Sequence, residues 1–243
     1  MRGYQWVKQT PYYGTIKEIW FSHFKEPIDD IPLSTQRFAE KFRNRFFSWD
    51  YLEVYDFIDF LVNIKIHSVD RKNLINSFNT ILKTELSGYR FVNGQLAPIT
   101  NEEEIKEIEK AINSTEVGKL KGVSIHFAEA LNKLSDKKNP DYRNSIKESI
   151  SAVESICQQI TQDPKAELGK ALKTIKTKLS IHGALEQGFI KIYGYTSDGD
   201  GIRHALMDEP NLDQEDALYM LITCSSFVNY LIIKANKIGL EIN

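Results

Sequence analysis

The 243-residue sequence lacks the short motifs that mark most familiar enzyme classes. It has two cysteines, which are not spaced as a metal-binding pair, and no histidine pair of the HExxH type. Glycine-rich phosphate loops of the GxxxxGK[ST] and GxGxxG types are absent, and so is the GxSxG nucleophile motif. The sequence therefore predicts neither a metal nor a cofactor, and leaves chemistry that needs only side chains.

Excess charge and long apolar runs are also missing. The formal net charge is −2, which gives no overall attraction to nucleic acid or to an anionic membrane, so either partner would need a local patch. The first residues have no apolar stretch of the signal-peptide type, and no run reaches the roughly 18 apolar residues of a membrane span. We expect a soluble, cytoplasmic protein without membrane contact, whose Cys157 and Cys224 are free thiols on buried helix faces.

Helical periodicity dominates what is present, beginning in the N-terminal part. Apolar residues recur every three to four positions in three segments, 35–49, 50–64 and 69–88, and each spacing predicts an amphipathic helix. Gly88 is a plausible C-cap of the third helix. The aromatic-rich stretch FRNRFFSWDYLEVYDF, which spans the first two helices, is either core or an exposed patch.

A short hairpin and an acidic helix follow. Asn93-Gly94 separates two short apolar runs and is the strongest hairpin signal in the chain, because both turn positions need positive φ. Residues 100–114 begin with Thr100 and Glu103 in capping-box spacing and predict a linker helix. We place the domain boundary there, with an N-terminal helical domain at 1–100 and a helical bundle at 101–243.

The C-terminal part reads as four or five amphipathic helices. Asn211 or Asp213 is a natural N-cap for the last helix, and Gly239 can end it. The predicted core stripes are Leu120, Val123, Phe127, Leu131 and Leu134; Ile146, Ile150, Val153, Cys157 and Ile160; Leu168, Leu172, Ile175 and Leu179; Leu185 and Phe189; and Ala217, Leu221, Cys224, Val228 and Leu231. The fold class is therefore mainly α.

Arg203 and His204 are the first candidates for chemistry. They are adjacent in the acid-rich loop SDGDGIRHALMDEP, and adjacent side chains point about 100° apart on a helix, so one pair does not easily converge on one phosphate. The pair can act if His204 alone faces the substrate, or if a two-fold dimer brings two copies together. A well-bonded structural loop and a functional site both stay open.

Lysines on the helix over 165–178 form the second candidate. Five lysines stand there against one acid, which is the pattern either of a solvated face or of an RNA-phosphate patch. His126 and His182 lie within helical patterns and read as structural histidines. Glu148 lies off its helix's apolar stripe, as an inward polar group or as plain surface.

Several phrases together resemble the AbiJ-type abortive-infection proteins of prokaryotes. They are SGYRFVNGQLAPIT with the acidic helix after it, NSIKESISAVES, KIYGYTSDGDGIRHAL and EDALYMLITCSSFVNYLI. The resemblance runs from about residue 35 to 237. It implies an AbiJ-like N-terminal domain joined to a C-terminal HEPN-like helical bundle, and a protein of antiviral defence with toxin-like action.

HEPN domains are often metal-independent RNA endonucleases that act as homodimers. Carried over, the resemblance makes His204 the general acid or base at the ribose 2′-hydroxyl and Arg203 the group that stabilises the phosphate. In the usual motif several residues separate arginine and histidine, whereas here they are adjacent. Arg143, Lys170 and Lys173 are the predicted RNA contacts. Two alternatives remain: a non-catalytic RNA- or nucleotide-binding sensor, and a structural dimer that holds another defence effector.

Overall fold

The computed structural model describes residues 7–66, 69–198, 212–240 and 242. Within these residues the chain forms ten α-helices and one two-stranded hairpin, so the prediction of a mainly α fold with a small hairpin is confirmed. The chain divides into two compact units, Met1–Leu96 and Ala97–Asn243. The two units are built on different kinds of core.

The N-terminal unit holds the first four helices and the hairpin. Helices α2, α3 and α4 each begin at a side chain that accepts a hydrogen bond from the backbone of the first turn: Ser34, Asp50 and Asp70. Asp50 and Glu53 form a reciprocal capping box. The helices are α1 at Tyr13–Glu18, continued by a π-helical turn at Ile19–His23, α2 at Thr35–Phe46, α3 at Tyr51–Asn63 and α4 at Arg71–Thr84.

Aromatic rings make most of the core of this unit. Trp20, Phe24 and Phe57 are buried, and rings of α2 and the α2–α3 corner pack around them while remaining partly exposed. Neighbouring ring centres lie 5.1–6.4 Å apart, a range in which aromatic pairs attract each other. The aromatic-rich stretch is therefore mostly core. Its exceptions are Phe47 and Tyr51, whose exposed fractions are 69% and 66%.

The hairpin joins β1 at Arg90–Val92 to β2 at Gln95–Ala97. Asn93 and Gly94 have φ of 47° and 76°, which confirms the turn predicted from the sequence. The side chain of Asn79, from α4, both accepts from the Phe91 amide at 2.7 Å and donates to its carbonyl at 3.0 Å. The predicted cap Gly88 was wrong, because the left-handed residue after α4 is Leu86, with φ of 53°.

The C-terminal unit is a six-helix bundle in the described residues. Helices α6 and α7 form an antiparallel hairpin; α10 packs against α5, α6 and α7, and α8 lies between α7 and α9. The helices are α5 at Glu102–Asn113, α6 at Lys121–Ser135, α7 at Tyr142–Thr161, α8 at Leu168–Lys178, α9 at Gly183–Asp198 and α10 at Gln214–Lys237.

Nearly all the predicted core stripes of this unit are confirmed. Every named position on α7, α8 and α10 is buried, and so is each one on α6 and just before it. The exception is on α9, where Leu185 is 40% exposed while its neighbour Glu186 is buried. The buried position on α9 is therefore occupied by the Glu186 side chain, which pairs with Lys176, and not by the predicted Leu185 side chain.

Helix α5 is part of the bundle rather than a linker. Ile108, Ala111 and Ile112 are buried, and the helix packs against α6 and α10. Its N-cap is Asn101, whose side chain accepts from the amides of Glu103 and Glu104. The predicted cap at Thr100 was one residue too early, and the linker interpretation was wrong because three acidic residues at the helix start hid its apolar face.

Helix α10 is the longest element of the described chain. Asp213 caps its start, as predicted, and Gly239 ends it with φ of 68°. By length and composition alone it could cross a membrane, with a mean hydropathy of 1.5 over 18 residues, but half of that window is buried within the bundle. A helix that is apolar on most sides also suits the centre of a bundle, which is the place that α10 occupies.

Both cysteines are free and fully buried, as predicted. Burial raises the pKa of the Cys224 thiol to about 12. Burial and the nearby Glu154 carboxylate raise the pKa of Cys157 far above its usual range. Neither thiol is ionised near neutral pH, so neither is a nucleophile in the folded bundle.

Candidate functional site

Arg203 and His204, the predicted catalytic pair, lie outside the described residues. The structure describes α9 as far as Asp198 and the chain again from Leu212. The other predicted residues, Arg143, Lys170 and Lys173, and one further pair, His126 and Glu148, lie within the described bundle.

Arg143 is the second residue of α7, next to an acidic cap. Asp141 accepts hydrogen bonds from the amide of Asn144 at 3.0 Å and from its side chain at 2.7 Å. Partial burial acts to raise the pKa of Asp141, but these bonds and the charges of Lys133 and Arg143 outweigh it and hold the pKa below its usual range. Arg143 thus lies beside a fixed negative charge, which weakens its attraction for phosphate.

Lys170 and Lys173 are exposed on α8, one turn apart, on the same face of the helix. Lys170 Nζ lies 3.8 Å from Glu167 Oε2, and both side chains are more than three-quarters exposed. An ion pair this open to water is weak and is screened by salt. These two lysines are available to an anionic ligand.

The next two lysines of α8 serve the fold. Lys176 Nζ lies 3.6 Å from a carboxylate oxygen of Glu186, whose side chain is 3% exposed. Glu186 also accepts from Gln187 Nε2 at 3.1 Å. Lys178 donates to the Ile160 carbonyl at 2.8 Å. Of the five predicted lysines, Lys170 and Lys173 can therefore bind a ligand, whereas Lys176 balances a buried charge and Lys178 bonds to the end of α7. The fifth, Lys165, is exposed and lies before α8.

Arg143 and the α8 lysines do not share one end of α7. At 1.5 Å per residue, about 25 Å of helix separates Arg143 from Ile160. The Lys178 bond ties the end of α8 to Ile160, and α8 starts seven residues after α7 ends. The predicted phosphate contacts, Arg143, Lys170 and Lys173, are therefore spread along the bundle. This spacing fits an extended nucleic-acid strand better than a single phosphate group.

His126 and Glu148 form a pair that the sequence reading missed. His126 Nδ1 lies 2.7 Å from Glu148 Oε2, joining α6 to α7, and the two side chains are 37% and 22% exposed. The sequence carried a usable signal, because the two residues are nearly equidistant from the turn between α6 and α7. Residues placed so in an antiparallel helical hairpin face each other.

This pair has the geometry of an oriented acid–base group. A neutral imidazole that donates from Nδ1 to the carboxylate keeps Nε2 as an acceptor that can take a proton. The same bond also joins two helices, so a structural role explains it equally well. In the described part of the chain, no group of three or more histidine, cysteine, aspartate or glutamate side chains is arranged to hold a metal ion.

Comparison with known proteins adds what the geometry leaves open. Residues 4–114 match the family model described as AbiJ N-terminal domain 4. The match supports an AbiJ-type protein. No curated protein and no solved structure matches the chain.

The AbiJ match covers the N-terminal unit and continues through α5. It supports a part in abortive infection, a form of antiviral defence. The remaining helices, α6 to α10, lie outside the matched residues. The family match therefore does not extend to these five helices.

Proposed function

We propose that this AbiJ-type protein is a defence ribonuclease whose C-terminal bundle is a HEPN-like, metal-independent RNA endonuclease acting as a homodimer. The AbiJ match over 4–114 is the observation that carries the proposal, since this N-terminal domain suggests a part in abortive-infection defence. The sequence resemblance of the bundle supplies the activity.

The proposed reaction needs only side chains. His204 takes the proton of a ribose 2′-hydroxyl, whose oxygen attacks the adjacent phosphorus while the bond to the next 5′-oxygen breaks. Arg203 stabilises the negative charge that grows on the phosphate oxygens. The products are a 2′,3′-cyclic phosphate and a 5′-hydroxyl. A two-fold dimer supplies a second copy of each residue, and the second His204, in its protonated form, gives a proton to the departing 5′-oxygen.

Two observations on the bundle agree with an RNA substrate. Lys170 and Lys173 are exposed on one face of α8. The neighbouring acid, Glu167, forms only a solvent-exposed ion pair with Lys170. Arg143 adds a cation toward the far end of α7. A strand that follows the bundle would meet these cations in succession, which gives binding that weakens with salt.

The first test is cleavage of a total-RNA pool by purified protein in EDTA. Cleavage that leaves 2′,3′-cyclic phosphate ends is expected. His204→Ala should lower the rate by about 10²–10⁴-fold, the usual contribution of an acid–base group, and Arg203→Ala by about 10²–10³-fold, the usual contribution of a group that stabilises developing charge. Chromatography with light scattering on the same samples measures the dimer.

His126→Ala is the matched control, because it removes the histidine that is paired with the Glu148 carboxylate. Cleavage lost in this variant and kept in His204→Ala would transfer the chemistry to the His126–Glu148 pair. Lys170→Glu with Lys173→Glu should weaken RNA binding, whereas Lys119→Glu, an exposed lysine before α6, should not. Tight RNA binding with no cleavage by the dimer would favour the non-catalytic sensor.

A further inference from the structure

The outward face of α2 in the N-terminal unit is basic. Over Thr35–Phe46 the helix carries four cationic side chains and one acidic one. Arg37, Lys41 and Asn44 follow one another along the helix and, with Glu40, border an open groove against the Pro32–Ser34 segment. A groove of this composition attracts anions along its length.

The acids near this face are largely occupied. Glu26 pairs with both Lys41, at 3.4 Å, and Arg45, so two cations share a single carboxylate. Glu40 accepts from Gln36 at 3.1 Å. The four cations of α2 thus outnumber these two carboxylates, which leaves the helix with an excess of positive charge.

Two exposed aromatic side chains stand at the turn between α2 and α3, and the edge of one of them, Tyr51, contacts the Tyr55 ring of α3. Phe47 ends α2 and is 69% exposed, and Tyr51 begins α3 and is 66% exposed. The guanidinium of Arg43 lies over the Phe47 ring, 4.8 Å from its centre. Phe47 thus has a cation on its ring and most of its area open to solvent, in a unit whose other α2 rings are packed into the core.

Acidic residues close to Tyr51 are turned toward the start of α3. Asp50 accepts from the Glu53 amide and Glu53 from the Asp50 amide, each at 2.9 Å. Their carboxylates neutralise the partial positive charge of the helix end. They therefore oppose an anionic ligand at the corner less than free carboxylates would.

We propose that the outward side of α2 and the turn after it, with Arg37, Arg43, Phe47 and Tyr51, bind single-stranded nucleic acid. The cations hold successive phosphates, and unpaired bases stack on the two rings, which is how sequence-tolerant single-strand binders work. The proposal goes beyond the ribonuclease assigned to the bundle, since it gives the N-terminal unit a substrate-capturing role that needs no cleavage.

The aromatic residues decide between nucleic acid and an acidic peptide. An acidic peptide would be held by Arg37 and Arg43, with little need for open ring faces. Bases present flat π-surfaces to Phe47 and Tyr51, and stacking gives a binding contribution that salt does not screen. A single-stranded nucleic acid uses both the cations and the exposed rings of this surface.

The test is fluorescence anisotropy of a short labelled oligodeoxyadenylate with the full chain in EDTA. This probe has no 2′-hydroxyl, so the proposed ribonuclease cannot cut it and binding is measured apart from cleavage. Phe47→Ala and Tyr51→Ala should each weaken binding about fivefold or more, as loss of one stacked base does. Arg37→Glu with Arg43→Glu should weaken it further and flatten the dependence of affinity on salt.

Two matched controls lie in the same unit. Phe21→Ala removes a phenylalanine that is 64% exposed on the π-helical turn, and Lys72→Glu reverses an exposed charge on α4. Both should bind like the unchanged protein, and circular dichroism checks that every variant is folded. Equal binding by all variants, or loss with the arginines but not with the rings, would overturn the proposal. Failure of RNA cleavage would leave this binding result intact.

Discussion

The two units of this chain bury their apolar side chains in different ways. The bundle is filled by aliphatic side chains that are almost completely inaccessible, such as Ile146, Val153 and Leu221, each 0% exposed. The N-terminal unit relies on aromatic rings, several of which stay partly exposed. One core is dense and closed, and the other is a network of ring contacts open at its margin.

The difference shows that helical periodicity does not by itself tell how deep a face is buried. In the bundle each stripe faces a long neighbouring helix, so apolar positions become fully inaccessible. In the small N-terminal unit there are fewer helices to cover a stripe, and large rings such as Phe42 and Phe46 reach partners from a half-exposed position. Substitutions should separate these two designs.

The largest expected effect is in the bundle. Phe127→Ala should lower the free energy of unfolding by about 3–5 kcal/mol, because the ring is 0% exposed and leaves a cavity. The paired variant Phe46→Ala should cost less, since this ring is already partly in water. Hydrogen exchange followed by mass spectrometry reports the two units separately; equal losses would contradict the contrast between the cores.

Asn229 tests the polar exception in the aliphatic core. Its side chain is 4% exposed and donates to the Glu107 carbonyl at 3.0 Å and carboxylate at 2.9 Å, joining α10 to α5. Asn229→Ala should cost about 1–3 kcal/mol, as loss of a buried hydrogen-bonding partner does. Asn236→Ala, at an exposed position of the same helix, is the control and should change stability little. Denaturant unfolding of both variants makes the comparison.

His23 makes the aromatic core sensitive to pH. Burial lowers its pKa, Arg45 and Lys25 add to this, and Asp56 opposes it. As pH falls through about 6.5 the unfolded chain takes up a proton that the folded unit resists, so stability falls, by at most about 1.4 kcal/mol per pH unit, until the lowered pKa of the folded state is reached.

Thermal unfolding at several pH values between about 5 and 7.5 measures this effect. His23→Gln should remove the part that belongs to His23 and leave other titrations unchanged. An N-terminal unit that keeps its full stability down to pH 5 would show that the four rings around His23, with centres 5.0–5.8 Å away, accommodate the imidazolium.

The smallest effect is expected on the outside of the bundle. Lys170→Ala should change the free energy of unfolding by no more than about 0.5 kcal/mol, because its pair with Glu167 is solvated on both sides. Guanidinium unfolding detects any larger change. A marked loss of stability would mean that Lys170 supports the fold and is not available to a ligand.

Much of the fold could be predicted from periodicity and turn chemistry. The stripes of α6, α7, α8 and α10 and the Asn93-Gly94 turn were correct, because each is set by residues close in sequence. The helix α5 was misread because its acidic first turn hid the apolar face and because its main partner, α10, lies more than a hundred residues away. Glu186 was missed because a buried carboxylate depends on Lys176, a contact that no local pattern encodes.

The candidate site was less predictable than the fold. Sequence could nominate Lys170 and Lys173 by charge, but could not tell that Lys176 and Lys178 are taken up by internal contacts. It also ranked His126 as structural without its partner Glu148 in view. Pairs that join two helices appear only when the register of those helices is known.

The two buried thiols of the bundle can be used to measure how often it opens. Cys157 and Cys224 belong to helices that pack against each other, and neither can react while the helices stay together. When labelling by a thiol reagent is faster than reclosing, its rate is the rate at which the bundle opens. Any ligand, partner or trigger that loosens or tightens this protein can be timed through them without adding a probe.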